Sequence, residues 1–203
     1  MRKRIGIACI ILGAVCLLVA IGFLIYNHIE SETAAKASQA LLKDLKTAME
    51  ENKPAQNESN TTQSDALSIP EEMPTVNVDG YDCIGILSVP VLKLELPVLA
   101  DWSYAKLKKA PCHYYGSYFK GDFVIAGHSY KAHFGRLSEL QPGDSIIFTD
   151  AAGGQHCYEV VLLETLPKEA TEEMITSGFD LSLYTCTPGG GSRITVRCKA
   201  ITP

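Results

Sequence analysis

Cys186, His128 and Arg193 are three side chains whose types and settings fit one chemistry. Residues 181–186 (LSLYTC) are an apolar run ending on a cysteine, and residues 122–128 (DFVIAGH) are another ending on a histidine. Runs of this kind, rich in β-branched and aromatic residues, predict strands. Pro188 and the glycines at 189–191 then impose a loop, and alternation resumes at Arg193. Cys186 and Arg193 are therefore expected at the same end of two neighbouring strands. Ala126 and Gly127 leave room beside the His128 ring. The chemistry is acyl transfer through sulfur. A thiolate is the nucleophile, a nearby imidazolium stabilises it and gives a proton to the leaving amine, and an arginine offers a fixed cation with several donors to the oxyanion. From residue types and spacing alone, packing and catalysis both stay open.

The remaining candidates point elsewhere. His28 abuts the apolar N-terminal run, His156 falls in a strand, His133 is expected in a solvated loop (SYKAHFGRL), and His113 follows a short helix and is expected to bond locally. The glycines at 189–191 lack the spacing of a phosphate-binding loop. Of the seven cysteines, Cys9 and Cys16 lie in the apolar run; Cys83, Cys112, Cys157, Cys186 and Cys198 follow it. No spacing matches a zinc knuckle, and an odd outer set leaves at least one free thiol. The spacing of Cys83, Cys112, Cys157 and Cys198 does not specify a pairing.

The chain must position these groups on a frame that begins with an anchor. Residues 5–26 carry no charge, and as a helix they would reach about 33 Å, enough to span a bilayer. A cleavable signal would have a shorter apolar region, so an uncleaved anchor is expected over residues 1–27. Arg2, Lys3 and Arg4 precede it and Glu30 and Glu32 follow, which places everything beyond Tyr26 outside the plasma membrane. Without those three cations, 15 basic residues face 23 acidic ones, a balance that gives no electrostatic reason to bind nucleic acid. Residues 28–53 are rich in helix formers, with a narrow stripe of Leu41, Leu45, Ala48 and Met49, and predict a juxtamembrane helical stalk. Residues 54–75 are a polar, proline-bounded linker carrying two glycosylation-type sequons at Asn57 and Asn60. Residues 76–203 switch to short apolar runs separated by turn signals. Seven such runs, with short helices over 103–110 and 171–177, predict an all-β barrel or sandwich. Pro90 and Pro97 confine their segments to strand ends or edges.

The motifs around the three residues resemble those of the sortases, membrane-anchored cysteine transpeptidases of Gram-positive cell walls. Their T-L-x-T-C motif stands here as Ser182-Leu183-Tyr184-Thr185-Cys186, their strand ending in A-G-H as Ala126-Gly127-His128, and their following arginine strand opens at Arg193. Residues 133–148 and 113–117 are similar to the stretches on either side of the histidine motif. The resemblance runs from about Asp82 to Thr202, with Ser182 where threonine is usual. It implies an eight-stranded sortase β-barrel with Cys186 as nucleophile, His128 as acid and base, and Arg193 stabilising oxyanion and substrate. Ala126, Gly127, Tyr184 and Thr185, which flank these groups, become the expected substrate contacts. The implied reaction cleaves an LPxTG-like signal between threonine and glycine through a thioacyl enzyme, which a peptidoglycan-precursor amine resolves. It implies no metal or organic cofactor; calcium activation occurs in part of the family and is not readable here. No D-P-[FWY] lid motif is present before the barrel, so a housekeeping or class D-like anchoring sortase is expected. A pilin-polymerising sortase and an inactive barrel that only binds wall peptides are the alternatives. An L,D-transpeptidase would carry S-H-G-C, which is absent.

Overall fold

The computed structural model describes residues 2–52 and 72–201. The sequons and most of the linker lie outside the described residues. One sheet contains nine strands: β1 (Val76–Val78), β2 (Tyr81–Val89), β3 (Leu94–Leu99), β4 (Cys112–Tyr115), β5 (Phe123–Ala126), β6 (Ser145–Asp150), β7 (Gln155–Pro167), β8 (Leu181–Cys186) and β9 (Ser192–Ala200). They pair in the order β1-β2-β3-β4-β5-β8-β9-β7-β6, and β6 returns to β2. That return closes β2 to β9 into an eight-stranded barrel, with β1 as a short flap hairpinned onto β2. Closure removes most free edges. The exception is β3, which meets β4 only at Leu99↔Cys112; Pro97, which has no N–H to donate, sits on this sparsely paired strand.

Inward-facing residues fill the barrel: Ile84, Leu87, Val98, Phe123, Ile125, Phe134, Phe148, Leu183 and Val196 are all essentially buried in one cluster. All seven predicted strands are present. Sequence reading missed β1 and β4, the first because three residues give too little alternation. Two short helices, α2 (Tyr104–Leu107) and α3 (Thr171–Ile175), fall within the predicted helical stretches. The described cysteines, Cys16, Cys83, Cys112, Cys157, Cys186 and Cys198, are all free.

The stretches expected as anchor and stalk form one unbroken helix, α1 (Arg2–Glu51), of 50 residues. Its apolar side chains from Ile10 to Ile29 are exposed, and the stretch is long and apolar enough to cross a membrane. The second half does not stand free as a stalk. Ala34, Ser38, Leu41 and Leu45 are buried, and Leu41 and Leu45 join Val78, Cys83, Ile86, Leu99, Ala110 and Cys112 in a second apolar cluster on the barrel's outside. The predicted stripe extends back through Ser38 and Ala34 to Glu30, at helical i, i+4 spacing. Its small residues let the helix come close to the barrel. Lys46 and Glu95 pair at 2.7 Å across the same interface, both half exposed, a contact worth little by itself.

His133 corrects the expectation of a solvated loop: it is fully buried. Its ring nitrogens face the backbone at Ala34 of α1 and Leu107 of α2 without a well-formed hydrogen bond. Burial pushes its pKa down to about 4, with the neighbouring His128 adding to the effect. A folded pKa below the unfolded one means stability that is complete above the ordinary histidine range and is lost as pH falls through it toward 4. Wild type is expected to lose about 3 kcal/mol more than His133→Leu between pH 7 and pH 4. Chemical denaturation of the two proteins at both pH values measures this; parallel pH profiles would show that His133 is not the group lost.

Candidate active site

The barrel places β8 between β5 and β9, and this order assembles the site. β5 and β8 run parallel, with Ala126 opposite Tyr184 as their last pair and the Gly127 N–H donating to the Tyr184 carbonyl at 3.0 Å. His128 and Cys186 each lie two residues beyond that pair, and so emerge at one rim on the same side. β8 and β9 are antiparallel, with Cys186 directly opposite Arg193. The sequence order His, Cys, Arg becomes a spatial row across three adjacent strands. Cys186 is exposed, and His128 and Arg193 are half-buried.

Local rules explain each placement. Along β8, Leu181 and Leu183 point into the core while Tyr184 and Cys186 face out. Thr185 therefore points inward: it is buried, its hydroxyl has no partner, and it does not line the cleft beside Cys186. Ala126, Gly127 and Tyr184 do line it. A methyl group on Gly127 would run into the Phe134 ring, so glycine here permits the turn after His128 to fold under the strand end. The loop after Cys186 turns on Gly189 and Gly190, whose φ of 83° and 73° favour glycine. That loop also anchors Arg193: its Nη1 donates to the carbonyls of Gly190 and Ser192, both at 3.1 Å. Among the described residues no carboxylate pairs with it, which leaves the rest of its donor fork for a ligand.

The cleft holds about 200 Å³ and is lined by Cys186 and Arg193; His128 does not line it, although Ala126 and Gly127, just before it, do. A larger cavity of about 470 Å³ lies on the barrel flank near His113 and Asp122 and contains none of the three reactive groups. One wall of the cleft is aromatic, with Trp102, Tyr104, Tyr114 and Tyr184 in a chain of ring contacts at 5.3–5.8 Å. The opposite wall is Pro167, Lys168, Ala170, Thr171 and Met174, the stretch from the end of β7 through α3. Such a wall suits the apolar residues of an extended peptide. Sequence reading named Tyr184 but missed the rest of both walls; the single tryptophan, 43% exposed, was the available signal. Among the described residues no cluster of three His, Cys, Asp or Glu side chains is arranged to hold a metal ion.

Behind the second wall lies a buried cation. Arg197 of β9 is 1% exposed and donates to Glu164 Oε1 at 2.7 Å, Ser182 Oγ at 2.8 Å, and the carbonyls of Glu173 at 2.7 Å and Met174 at 3.2 Å. It ties α3 to three strands. The departure at Ser182 thus has a structural role, because its hydroxyl accepts from this guanidinium.

The imidazole is held differently. His128 stacks on Tyr130 with ring centroids 3.7 Å apart, and its Nδ1 is buried without a hydrogen-bond partner. Burial lowers its pKa below the usual histidine value of 6.5; the Glu30 carboxylate opposes this and the Lys108 ammonium adds to it. The ring is therefore predominantly neutral at neutral pH.

A closed mixed barrel with cysteine at the end of its central rim strand, histidine and arginine beside it, defines a thiol acyl-transfer architecture. A sortase-domain family model matches residues 87–201, more than half of the chain, and the chain belongs to the sortase family. Among solved structures it resembles sortase A from Corynebacterium diphtheriae, at 25% identity and TM-score 0.53, over 61% of this chain and 62% of that one. It also resembles sortase C1 from Streptococcus suis, at 26% identity and TM-score 0.52, over 60% of this chain and 74% of that one. Sortase C1 from Streptococcus agalactiae shares the fold, at 24% identity and TM-score 0.55, over 63% of this chain and 72% of that one. The match thus spans less than two thirds of the Corynebacterium protein's length. No curated protein matches the chain.

Proposed function

We propose that this protein is a membrane-anchored cysteine transpeptidase that cleaves an LPxTG-like signal between threonine and glycine and transfers the acyl part to a cell-wall amine. The observation that carries this reading is Cys186 paired opposite Arg193 at the mouth of a cleft that both line, with His128 two residues past the Ala126–Tyr184 pair on the neighbouring strand. The Cys186 thiolate attacks the threonine carbonyl carbon, and the Arg193 donor fork stabilises the negative oxygen. The C–N bond to glycine breaks as the His128 imidazolium gives its proton to the departing amine. An acceptor amine then attacks the thioester and loses a proton to the neutral His128. Sulfur leaves as thiolate, which restores the starting pair. Ala126, Gly127 and Tyr184 contact the substrate, with the aromatic wall receiving its apolar residues.

The exposed apolar sleeve on α1, preceded by Arg2, Lys3 and Arg4, supports a single-pass anchor in the plasma membrane with the barrel outside. Partners are then surface proteins bearing the signal and a peptidoglycan-precursor amine. Mass spectrometry of the full chain incubated with LPxTG-type peptides and small amines tests the reaction. Products joined at threonine support it; intact peptides across the whole set would sink it. A pilin-polymerising enzyme would instead prefer a lysine of a second protein as acceptor, and a binding-only barrel would be indifferent to alkylation of Cys186.

Arg193→Lys is expected to keep the charge and lose the planar fork, so kcat falls at least about tenfold with little change in KM, because the lost donors serve the transition state. Steady-state kinetics decides; wild-type kcat/KM in this variant would make Arg193 a surface charge.

A further inference from the structure

The membrane-proximal turn of α1 meets the active site. Glu30 is four residues beyond the uncharged run that ends at Tyr26, and it begins the buried stripe Ala34, Ser38, Leu41, Leu45. Its Oε1 accepts from Lys108 Nζ at 2.7 Å, a contact joining α1 to the segment just after α2, 78 residues away in sequence. The Tyr130 hydroxyl is buried and has no partner of good hydrogen-bond geometry, and it faces the same carboxylate. Tyr130 in turn stacks flat on His128, with 18° between the ring planes. One carboxylate on the anchor helix is thus linked through one aromatic ring to the catalytic imidazole.

We propose that Glu30 is a positioning residue for His128, so that the active site is complete only while the membrane-proximal half of α1 is docked on the barrel. The proposal rests on the catalytic role given to His128 above. Its physical content has two parts. The Glu30 carboxylate and Lys108 fix Tyr130 against the ring, whose own Nδ1 has no bond to hold it. The carboxylate also favours the imidazolium that the departing amine needs, against a burial that disfavours it. The charged and titratable groups around the ring are Glu30 from α1, Lys108 after α2, Tyr130 and His133 from the loop after β5, and, at the rim beside it, Cys186 of β8 and Arg193 of β9. Of these only Glu30 and an ionised Cys186 oppose the cations. Docking and chemistry are coupled because α1 carries both the buried stripe and the carboxylate. A sortase barrel held at a set distance from the bilayer would then be active in that posture and impaired when pulled from its helix.

The test uses the full chain in lipid nanodiscs with isotope-labelled histidine, and compares wild type, Glu30→Gln and Glu32→Gln. Glu32 is exposed on the same helix, so its variant removes equal charge away from the stripe. In Glu30→Gln the NMR titration midpoint of His128 is expected to move down, with α1 amides near Leu41 and Leu45 still protected from exchange. The acid limb of kcat/KM should move with it, and kcat should fall about fivefold while KM holds within about twofold. Glu32→Gln should match wild type. The proposal is overturned by an unchanged His128 midpoint in Glu30→Gln, or by an equal shift in both variants. If wild type cleaves no peptide, the catalytic reading fails, and the titration still judges the link between Glu30 and His128.

Discussion

Cys186→Ala is expected to abolish thioacyl formation and leave the barrel intact. Cys186 is exposed at the last position of β8 and makes no contribution to the buried cluster, so removing its sulfur costs little packing. In the proposed reaction it is the group that forms the covalent intermediate, because the other described thiols after α1 are placed differently. Burial pushes Cys83, Cys112 and Cys198 up to about 12, and thiols that hold their protons this firmly are poor nucleophiles. Cys157 lies on β7 opposite Ile147 of β6, away from the cleft. Loss of the nucleophile in a concerted catalytic unit typically removes on the order of 10⁴-fold or more of the rate. Intact-mass detection of the acyl adduct after mixing with peptide reads the result directly, with thermal melting as the control for folding. An adduct retained in the alanine variant would overturn the assignment.

Arg197→Met is expected to have the largest effect on stability among single changes near the cleft. Methionine fills much of the same space but donates nothing, so the Ser182 hydroxyl and the Glu173 and Met174 carbonyls lose their partner in the interior. Glu164 is 31% exposed on its side chain and can turn to water, which softens the loss. Breaking a buried ionic network by removing one partner costs about 3–5 kcal/mol, and the lower end applies here. For a chain of this size that is a fall in melting temperature of roughly 6–12 °C. The loss should also loosen α3, which forms one wall of the cleft, so KM for peptide rises while the thiol still acylates. A melting temperature within about 2 °C of wild type would show that the four donations are not worth their burial. The chemistry and the scaffold thus separate experimentally: the first variant removes the reaction from an intact barrel, and the second weakens the barrel around an intact thiol.

The site was more legible in the sequence than its surroundings. A strand's identity is a local property: alternation, β-branched content and bounding turn residues are all within a few positions of one another, and the runs ending in His128 and Cys186 carried them. The glycines after Cys186 likewise announced a turn that brings Arg193 back, because a positive φ is a property of one residue. The resemblance in motif order then supplied the neighbourhood that local patterns lack. Parallel pairing of β5 with β8 joins residues separated by 58 positions at Ala126↔Tyr184, and no local periodicity encodes such a pairing.

Tertiary structure alone decided the rest, for the same reason in each case. Burial depends on what arrives from elsewhere in the chain. Ala34 and Ser38 suit an exposed helix as well as a docked one, and only the sparsely paired flank of β3 and the flap at β1 make them an interface. His133 sits in a polar-looking stretch and reads as solvated until α1 and α2 close over it. Arg197, in a strand of alternating character, looks like a surface cation, yet the carbonyls of α3 and the hydroxyl of Ser182 give it buried acceptors. Thr185 shares a motif with the nucleophile, but the pleat turns it into the core. Glu30 is separated from His128 by 98 positions of sequence, and its charge reaches the ring because α1 packs against the barrel. The sequence determined which groups can do the chemistry; the packing of helix on barrel determined which charges they feel while doing it.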